Sequence, residues 1–297
     1  MEWQQIIGFY HVATLGSFTR AAEATYRTQS ALTQQIKSLE QELDCQLIDR
    51  IGKRKIALTP LGERFFRFSD ALLQEYNKLI GDIGEHKGLK KGSLKIAAPF
   101  TTLYHLLPQF VKKYKKQFPW VELLLLDRPQ RDVVGLIKSG DVDFGIAIES
   151  IIPRELIKHK WKKTEPVLLT QPDHPLTKTT HVSLENIAKC PLILPPKSTE
   201  LLYRNRLEDL FRKHGLNYFV IMESSNVELS SIYVEMGLGV SFASVVKGLP
   251  IFKKQNLGYV SLSHYLGSEN ICIVTRRDKK LTSYQEAFLT MLMGDSL

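Results

Sequence analysis

Cysteine is scarce in this chain: 297 residues hold only three, Cys45, Cys190 and Cys272. They lie far apart and match no metal-binding spacing, which argues against a structural zinc site or a disulfide-stapled secreted fold. Three reduced thiols are the expectation, with a redox switch between Cys190 and Cys272 as the alternative. Long apolar runs are missing too. The longest, such as Val121 to Leu126, fall far short of the roughly 20 residues of a membrane-spanning helix. Met1-Glu2-Trp3-Gln4-Gln5 has neither a basic n-region nor an apolar h-region, so no secretory leader, no membrane partner and a cytoplasmic location are expected. Catalytic signatures are equally absent. The eight histidines are scattered without HExxH spacing, and no GxSxG elbow, phosphate-binding GxxxxGK loop or GxGxxG fingerprint occurs. Gly237-Leu238-Gly239 lacks the third glycine. Neither an enzyme nor a bound metal or cofactor is expected.

The charge balance is unevenly spread. The net charge is +9, but residues 1–92 hold 13 Lys and Arg against 11 Asp and Glu, and the remainder hold 27 against 20. Global charge therefore makes no case for a nucleic-acid partner; the local cluster Arg50, Lys53, Arg54, Lys55, Arg64 and Arg67 does. The C-terminal excess sits in runs such as Lys112-Lys113-Tyr114-Lys115-Lys116 and Lys158-His159-Lys160-Trp161-Lys162-Lys163. Such runs are ordinarily solvated faces.

Two short helices can be read near the N-terminus. One starts at Ser17, the other at Thr28, and each has a hydroxyl able to accept a hydrogen bond from an orphan backbone N–H. Only Thr25-Tyr26-Arg27 separates them, room for a tight turn. Ile36, Leu39, Leu43 and Leu47 recur at three- and four-residue spacing and are expected to pack on a first helix over Ile6 to Leu15. The opposite face carries Gln29, Ser30, Thr33, Gln34 and Lys37. Gln can hold adenine bidentately, Ser or Thr can serve several bases, and Lys suits phosphate or guanine. After the helix, Arg50-Ile51-Gly52-Lys53-Arg54-Lys55-Ile56 reads as a β-wing along the phosphate backbone or into the minor groove. A helical hairpin with an ordinary solvated face is the alternative on pattern alone.

At this point the chain resembles a known family. Gly16-Ser17-Phe18, Ala21-Ala22, Gln29-Ser30-Ala31, Ile36, Leu39-Glu40, Arg50 and Leu58-Thr59-Pro60-Leu61-Gly62-Glu63 fall at the spacing of the LysR-type transcriptional regulators. The length and later blocks, Asp173-His174-Pro175-Leu176, Gly237-Leu238-Gly239-Val240 and Val274-Thr275-Arg276-Arg277-Asp278, extend the resemblance over the whole chain. Thr25, Asp44 and Ile48 stand where the family usually has Leu, Gly and Phe, departures expected to affect packing rather than the groove-facing residues.

Three parts are expected. Residues 1–58 form a winged helix-turn-helix. Residues 59–92 form a linker helix and hinge, with Thr59 as N-cap and Pro60 at the tolerated first position. Phe65, Leu72 and Leu79 lie seven apart, as do Ser69, Tyr76 and Ile83, a short coiled-coil-like seam for dimerisation. Gly81, Gly84, Gly88 and Gly92 would loosen the chain afterwards. Residues 93–297 alternate strands (Leu94–Ala98, Val121–Leu126, Phe144–Ile148, Val167–Leu169, Leu192–Leu194) with helices (Leu103–Tyr114, Asp132–Ser139, Leu202–His214, Val227–Met236), an α/β pattern of largely parallel sheets. The resemblance implies a periplasmic-binding-protein-like effector domain with subdomain I at about 93–164 and 266–297 and subdomain II at about 165–265.

Ligands on such sheets bind at the carboxyl ends of strands. Thr101 and Thr102 follow the first strand, Glu149 closes another, Lys197, Ser198 and Thr199 follow a third, and Asn226 begins a late helix. These seven are the candidate effector contacts, although Thr101 and Ser198 read equally well as helix caps. The resemblance implies a transcriptional regulator whose partners are double-stranded DNA at a dyad-symmetric promoter site, an anionic small-molecule effector, further copies of itself as homodimer or homotetramer, and RNA polymerase. An exported solute-binding protein and a sequence-indifferent architectural DNA protein are the rival classes.

Overall fold

A computed structural model describes residues 1–51, 55–86, 92–179, 181–197, 202–246 and 256–294. The chain divides into two compact units, one of Met1–Lys91 with Asp278–Ser283, the other of Gly92–Arg277 with Tyr284–Leu297.

The first unit opens with helices α1 (Trp3–Leu15), α2 (Phe18–Ala24) and α3 (Gln29–Glu42). Their starts are set by side chains: the Ser17 hydroxyl accepts from the Arg20 N–H and the Thr28 hydroxyl from the Ala31 N–H. Strands β1 (Ile48–Ile51) and β2 (Lys55–Leu58) pair antiparallel. Helix α4 (Pro60–His86) follows, 27 residues or about 40 Å at 1.5 Å per residue. The Thr59 hydroxyl accepts from the Gly62 N–H at 2.9 Å and so starts it.

One apolar core joins these pieces. Phe9, Val12, Ala21, Ala22, Leu32, Ile36, Leu39, Leu47 and Ile48 are buried together. Glu40 ties α3 to the wing, its Oε1 accepting from the Leu47 and Ile48 N–H groups at 2.8 and 3.1 Å. At Gly62 an added Cβ would lie 1.9 Å from the Leu47 carbonyl oxygen, so the start of α4 can close on Leu47, the residue before β1, only without a side chain. Leu43 departs from the expected packing face: α3 ends at Glu42, and Leu43 is its exposed C-cap.

The expected seam on α4 is also revised. Phe65 meets Phe9 edge-on at 5.0 Å, and Ser69 is fully buried, its hydroxyl donating to the Phe65 carbonyl. Both serve the unit's own core. Of the expected seam, Tyr76, Leu79 and Ile83 do lie exposed on α4, beside Leu61, Phe68 and Ile80. Gly81 and Gly84, expected in a hinge, lie inside α4, which runs to His86. Gly88 falls outside the described residues, and Gly92 begins the next strand.

In the second unit β3 (Gly92–Ala98), α5 (Pro108–Gln117), β4 (Val121–Asp127), α6 (Gln130–Ser139) and β5 (Phe144–Ile148) come first. Then come β6 (Leu156–Thr170), α7 (Leu184–Ala188), β7 (Pro191–Leu194), α8 (Leu202–Lys213), β8 (Phe219–Glu223), α9 (Val227–Glu235) and β9 (Val240–Val246). Last are β10 (Gly258–Ser261), α10 (Ser263–Leu266), β11 (Glu269–Arg276) and α11 (Ser283–Gly294).

Among the described residues the strands make one mixed sheet of nine, in the order β4-β3-β5-β11-β6-β9-β7-β8, with β10 on β6. Parallel pairs occupy its two ends, and the middle is antiparallel. The fifteen-residue β6 joins the halves: it pairs with β11 up to Thr164 and with β9 from Thr164 onward. Its lysine-rich first half was expected to be a charged face. It is a strand in which Leu156, Trp161 and Thr164 turn inward while Lys158, Lys160 and Lys163 stay exposed. The three cysteines are unpaired. Cys272 is fully buried in β11, where burial pushes its thiol up to about 11. Cys190 is half-buried with its thiol also raised by burial. Neither is a ready nucleophile for a redox switch.

Candidate functional site

Two sites can be built, one in each unit. In the first unit the apolar face of α3 is spent on the core, which turns its polar face outward. Gln29, Ser30, Gln34 and Lys37 are exposed and Thr33 half-buried. The Thr33 hydroxyl donates to the Gln29 carbonyl at 2.8 Å, leaving its lone pairs outward. Ser30 and Thr28 hydroxyls lie 3.1 Å apart, and Thr19 donates weakly to the Gln29 amide oxygen at 3.4 Å. Arg27 braces the turn, its guanidinium donating to Gln35 on α3 and Gln4 on α1, each at 3.1 Å. In the wing, Arg50 stands opposite Ile56 and Lys55 opposite Ile51. Lys53 and Arg54 fall outside the described residues.

The turn holds a residue the sequence reading passed over. Tyr26 has φ +54° and is 98% exposed, a bulky side chain held in the left-handed region at the corner of the two helices. Asp44, just after α3, has φ +48°. Its departure from the usual glycine is thus a matter of backbone conformation and not of packing, as first read; Asp tolerates this region better than most residues.

The second unit holds a cavity of about 440 Å³ between the strand ends of its two halves. Thr101, Thr102 and Asn226 line it, joined by Phe100, Arg128, Gln130, Arg131, Ser225 and Phe242. Three elements explain the gathering. The chain leaves β3 through a π-helical turn, Thr102–Leu106, that starts at the cavity wall. It leaves β4 at Asp127, which pairs with Ala98, and enters α6 at Gln130. From the far half α9 begins at the Asn226 cap, whose side-chain oxygen accepts from the Leu229 N–H at 2.8 Å. His105 in the π turn and Glu228 in α9 bridge the halves, Nε2 to Oε1 at 3.1 Å. Burial lowers the His105 pKa and Glu228 opposes that shift. Among the described residues no group of three or more His, Cys, Asp or Glu could hold a metal. Nor is any helix long and apolar enough to cross a membrane.

Residues 3–63 match the family model for the bacterial regulatory helix-turn-helix protein of the lysR family, and residues 87–295 match the LysR substrate binding domain. The chain belongs to the LysR family of transcriptional regulators. Relatives of this regulator include the HTH-type transcriptional regulator Cbl of Escherichia coli K12, 26% identical over 93% of the chain and 86% of Cbl. Among solved structures, the cofactor-binding domain of Cbl superposes with a TM-score of 0.59 at 26% identity, covering 69% of this chain and 89% of that one. Full-length OxyR from Pseudomonas aeruginosa shares the fold along the whole length, at a TM-score of 0.68 and 19% identity, covering 100% and 97% of the two chains. Cbl is named as a transcriptional regulator, and the C-terminal part of this LysR-type chain, residues 87–295, is its effector-binding domain.

Not every expected effector contact reaches the cavity of this LysR-type domain. Lys197 instead lines a separate depression beside β8 with Arg204, Tyr218 and Glu223, although Pro195, two residues earlier, lies on the cavity wall. Ser198 and Thr199 lie outside the described residues. Glu149 is also off the wall. Its carboxylate accepts from Asn270 at 2.7 Å and pairs with Lys158 at 3.1 Å and Lys160 at 3.2 Å on the neighbouring strand. Its charge is therefore met by β6 lysines and not by Lys197.

That arrangement predicts a pH effect. Asn270 first, then Lys158 and Lys160, hold the Glu149 carboxyl down to about 2 from an ordinary 4.5. A depressed carboxyl contributes stability above the unfolded value and loses it as pH falls. The melting-temperature gap between wild type and Glu149→Gln is expected to be constant above about pH 4.5 and to close between there and about pH 2. A gap that widens on acidification would contradict the assignment.

Proposed function

We propose that this LysR-type regulator works in the cytoplasm as a homodimer or homotetramer that reads a dyad-symmetric promoter site, under control of an anionic small molecule held in the C-terminal cleft. The observation that carries the DNA reading is the division of α3: Leu32, Ile36 and Leu39 are buried, so Gln29, Ser30 and Gln34 are left on the outward face. Gln29, Ser30, Thr33 and Gln34 read base edges; Lys37, Arg50, Lys53, Arg54 and Lys55 hold the phosphate backbone or minor groove. In this reading the chain comprises a DNA-binding domain at 1–58, a linker at 59–92 and an effector domain at 93–297. Self-association is supported by the exposed apolar side chains of α4, five of them (Phe68, Tyr76, Leu79, Ile80 and Ile83) between 42% and 55% exposed, since a contiguous apolar surface of this kind marks an interface. Two recognition helices at fixed spacing then match a palindromic site. RNA polymerase is the further partner such a regulator acts on.

The test is in vitro selection of genomic fragments by the purified protein at near-physiological salt. A few enriched sites with dyad symmetry are expected. Enrichment without a shared motif would replace specific reading by architectural DNA binding.

A further inference from the structure

The corner between α2 and α3 carries a large side chain for which the fold has no use. We infer that Tyr26 is a contact to the DNA backbone, its phenol donating to a phosphate oxygen at the edge of the groove that α3 enters. This rests on the DNA reading above and goes beyond it, since Tyr26 is not among the α3 and wing residues proposed there.

The first observation is the backbone of the corner. Helix α2 ends at Ala24 with Thr25 as its C-cap. The Arg27 N–H then donates to the Ala22 carbonyl at 2.9 Å, and the Tyr26 N–H to the Glu23 carbonyl at 3.2 Å. These are the two bonds of a Schellman motif, in which the residue after the C-cap takes the left-handed conformation. Tyr26 holds that position at φ +54°. Glycine is its usual occupant, and asparagine is tolerated because its short polar side chain bonds locally. A tyrosine there raises the free energy of the folded chain.

The second observation is that the unit's own packing does not offset this cost. The side chains on either side of Tyr26 both secure the corner. Thr25 donates its hydroxyl to the Ala21 carbonyl at 2.8 Å, and the Arg27 guanidinium turns back to Gln35 and Gln4. Tyr26 is 98% exposed, so its ring gains almost nothing from the described residues. An aromatic ring of this size is ordinarily a large source of burial, in a core or at an interface. Strain without a packing return is a mark of binding sites.

The third observation is place. A recognition helix reads bases with its N-terminal residues, and Tyr26 lies three residues before Gln29, the first residue of α3. Their Cα atoms are at most about 11 Å apart at 3.8 Å per residue, while the major groove is roughly 12 Å wide. With Gln29 against the base edges, Tyr26 therefore stands at the groove's phosphate wall. Tyrosine is among the side chains that bond phosphate oxygens, a contact that fixes register and carries no sequence information. Because Arg27 is turned toward Gln35 and Gln4, the phenol is the donor that this corner presents outward.

The test compares the full chain with Tyr26→Phe and Tyr26→Asn, each titrated with a genomically selected site and with random DNA at several salt concentrations, and each melted without DNA. Tyr26→Phe removes only the hydroxyl. It should weaken both DNAs alike by about tenfold, as for a lost hydrogen bond to a charged group. The slope of log affinity against log salt should stay put, because no charge is removed. Tyr26→Asn should weaken both DNAs at least as much while raising the melting temperature of the N-terminal unit by roughly 2–5 °C. A more stable protein that binds DNA less well is a pairing that a merely structural residue does not give, and it rules out misfolding as the cause. Unchanged DNA affinity in both variants would overturn the inference. A loss confined to the selected site would overturn the backbone assignment, and an Asn variant no more stable than wild type would overturn the strain on which it stands. In each of these cases wild-type binding to the selected site keeps the DNA reading intact. A wild-type chain that selects no site removes that reading, and this inference with it.

Discussion

Phe9→Ala is expected to destabilise the N-terminal unit by about 3–5 kcal/mol, enough to abolish DNA binding at physiological temperature. Phe9 is fully buried and sits where the helices meet. It shares a core with Val12, Ala21, Leu32, Ile36 and Leu39, and its ring meets Phe65 of α4 edge-on at 5.0 Å. Removing the ring leaves a cavity bounded by α1, α3 and α4. That cavity cannot collapse easily, because α3 is also held to the wing through Glu40 and α4 is closed on Leu47 at Gly62. The effector unit draws on separate cores, one around Leu168, Leu192 and Phe211 and another around Val133, Ile137 and Val274. Calorimetry should therefore show one transition moving down by many degrees while a second stays in place. Ligand binding in the cleft should survive when DNA binding is gone. An unmoved lower transition with intact DNA affinity would refute the account of the core; both transitions moving together would show that the units unfold as one.

What could be read beforehand follows from where the physics is local. Ser17 and Thr28 announce their helices because a cap acts within three residues, and both hydroxyls make the predicted bond. The wing was legible because its basic turn is short and flanked by apolar residues. The face of α4 was less so: seven-residue spacing places Phe65 and Ser69 on a common stripe but does not say whether that stripe meets a second copy or the unit's own core. Gly81 and Gly84 illustrate the same limit, since an isolated helical glycine costs only about 1 kcal/mol and does not by itself break a helix.

In the effector unit the first half of β6 was hidden by its lysines, while its end, Val167–Leu169, was read as a strand. Only Leu156, Trp161 and Thr164 of its first half are buried, and the charges between them mask the alternation. Strands β8 to β11 were missed because their pairing is settled by distant partners, as when Cys272 of β11 lies between Ala147 and Lys160. For the cleft, Thr101, Thr102 and Asn226 were within reach because they follow strand ends or begin a helix. Arg128, Gln130 and Phe242 were not, although the segment after Asp127 occupies the same kind of position as the segment after Ala98. That equivalence was the available signal.

Gln29→Ala carries the specificity prediction. In the proposed reading, Gln29 stands at the first residue of α3 with its side chain exposed and, among the described residues, held by the long Thr19 contact of 3.4 Å. It is free to turn both its donor and its acceptor to one adenine, an exchange worth about 1–3 kcal/mol against the wrong base. Loss of the amide should weaken binding to a selected site by about fivefold to a hundredfold or more and leave random DNA nearly unaffected. It carries no charge, so the slope of log affinity against log salt should not change. Lys37→Ala provides the opposite signature. Lys37 is exposed two turns further along the same face, and its loss should weaken selected and random DNA alike while lowering the salt slope by about one. Titrations of both variants on both DNAs at several salt concentrations separate the two roles. Equal losses for Gln29→Ala on selected and random DNA would return that residue to an ordinary polar surface. A salt slope unmoved by Lys37→Ala would take α3 off the phosphate backbone at that point, and the positioning charge would then have to come from the wing.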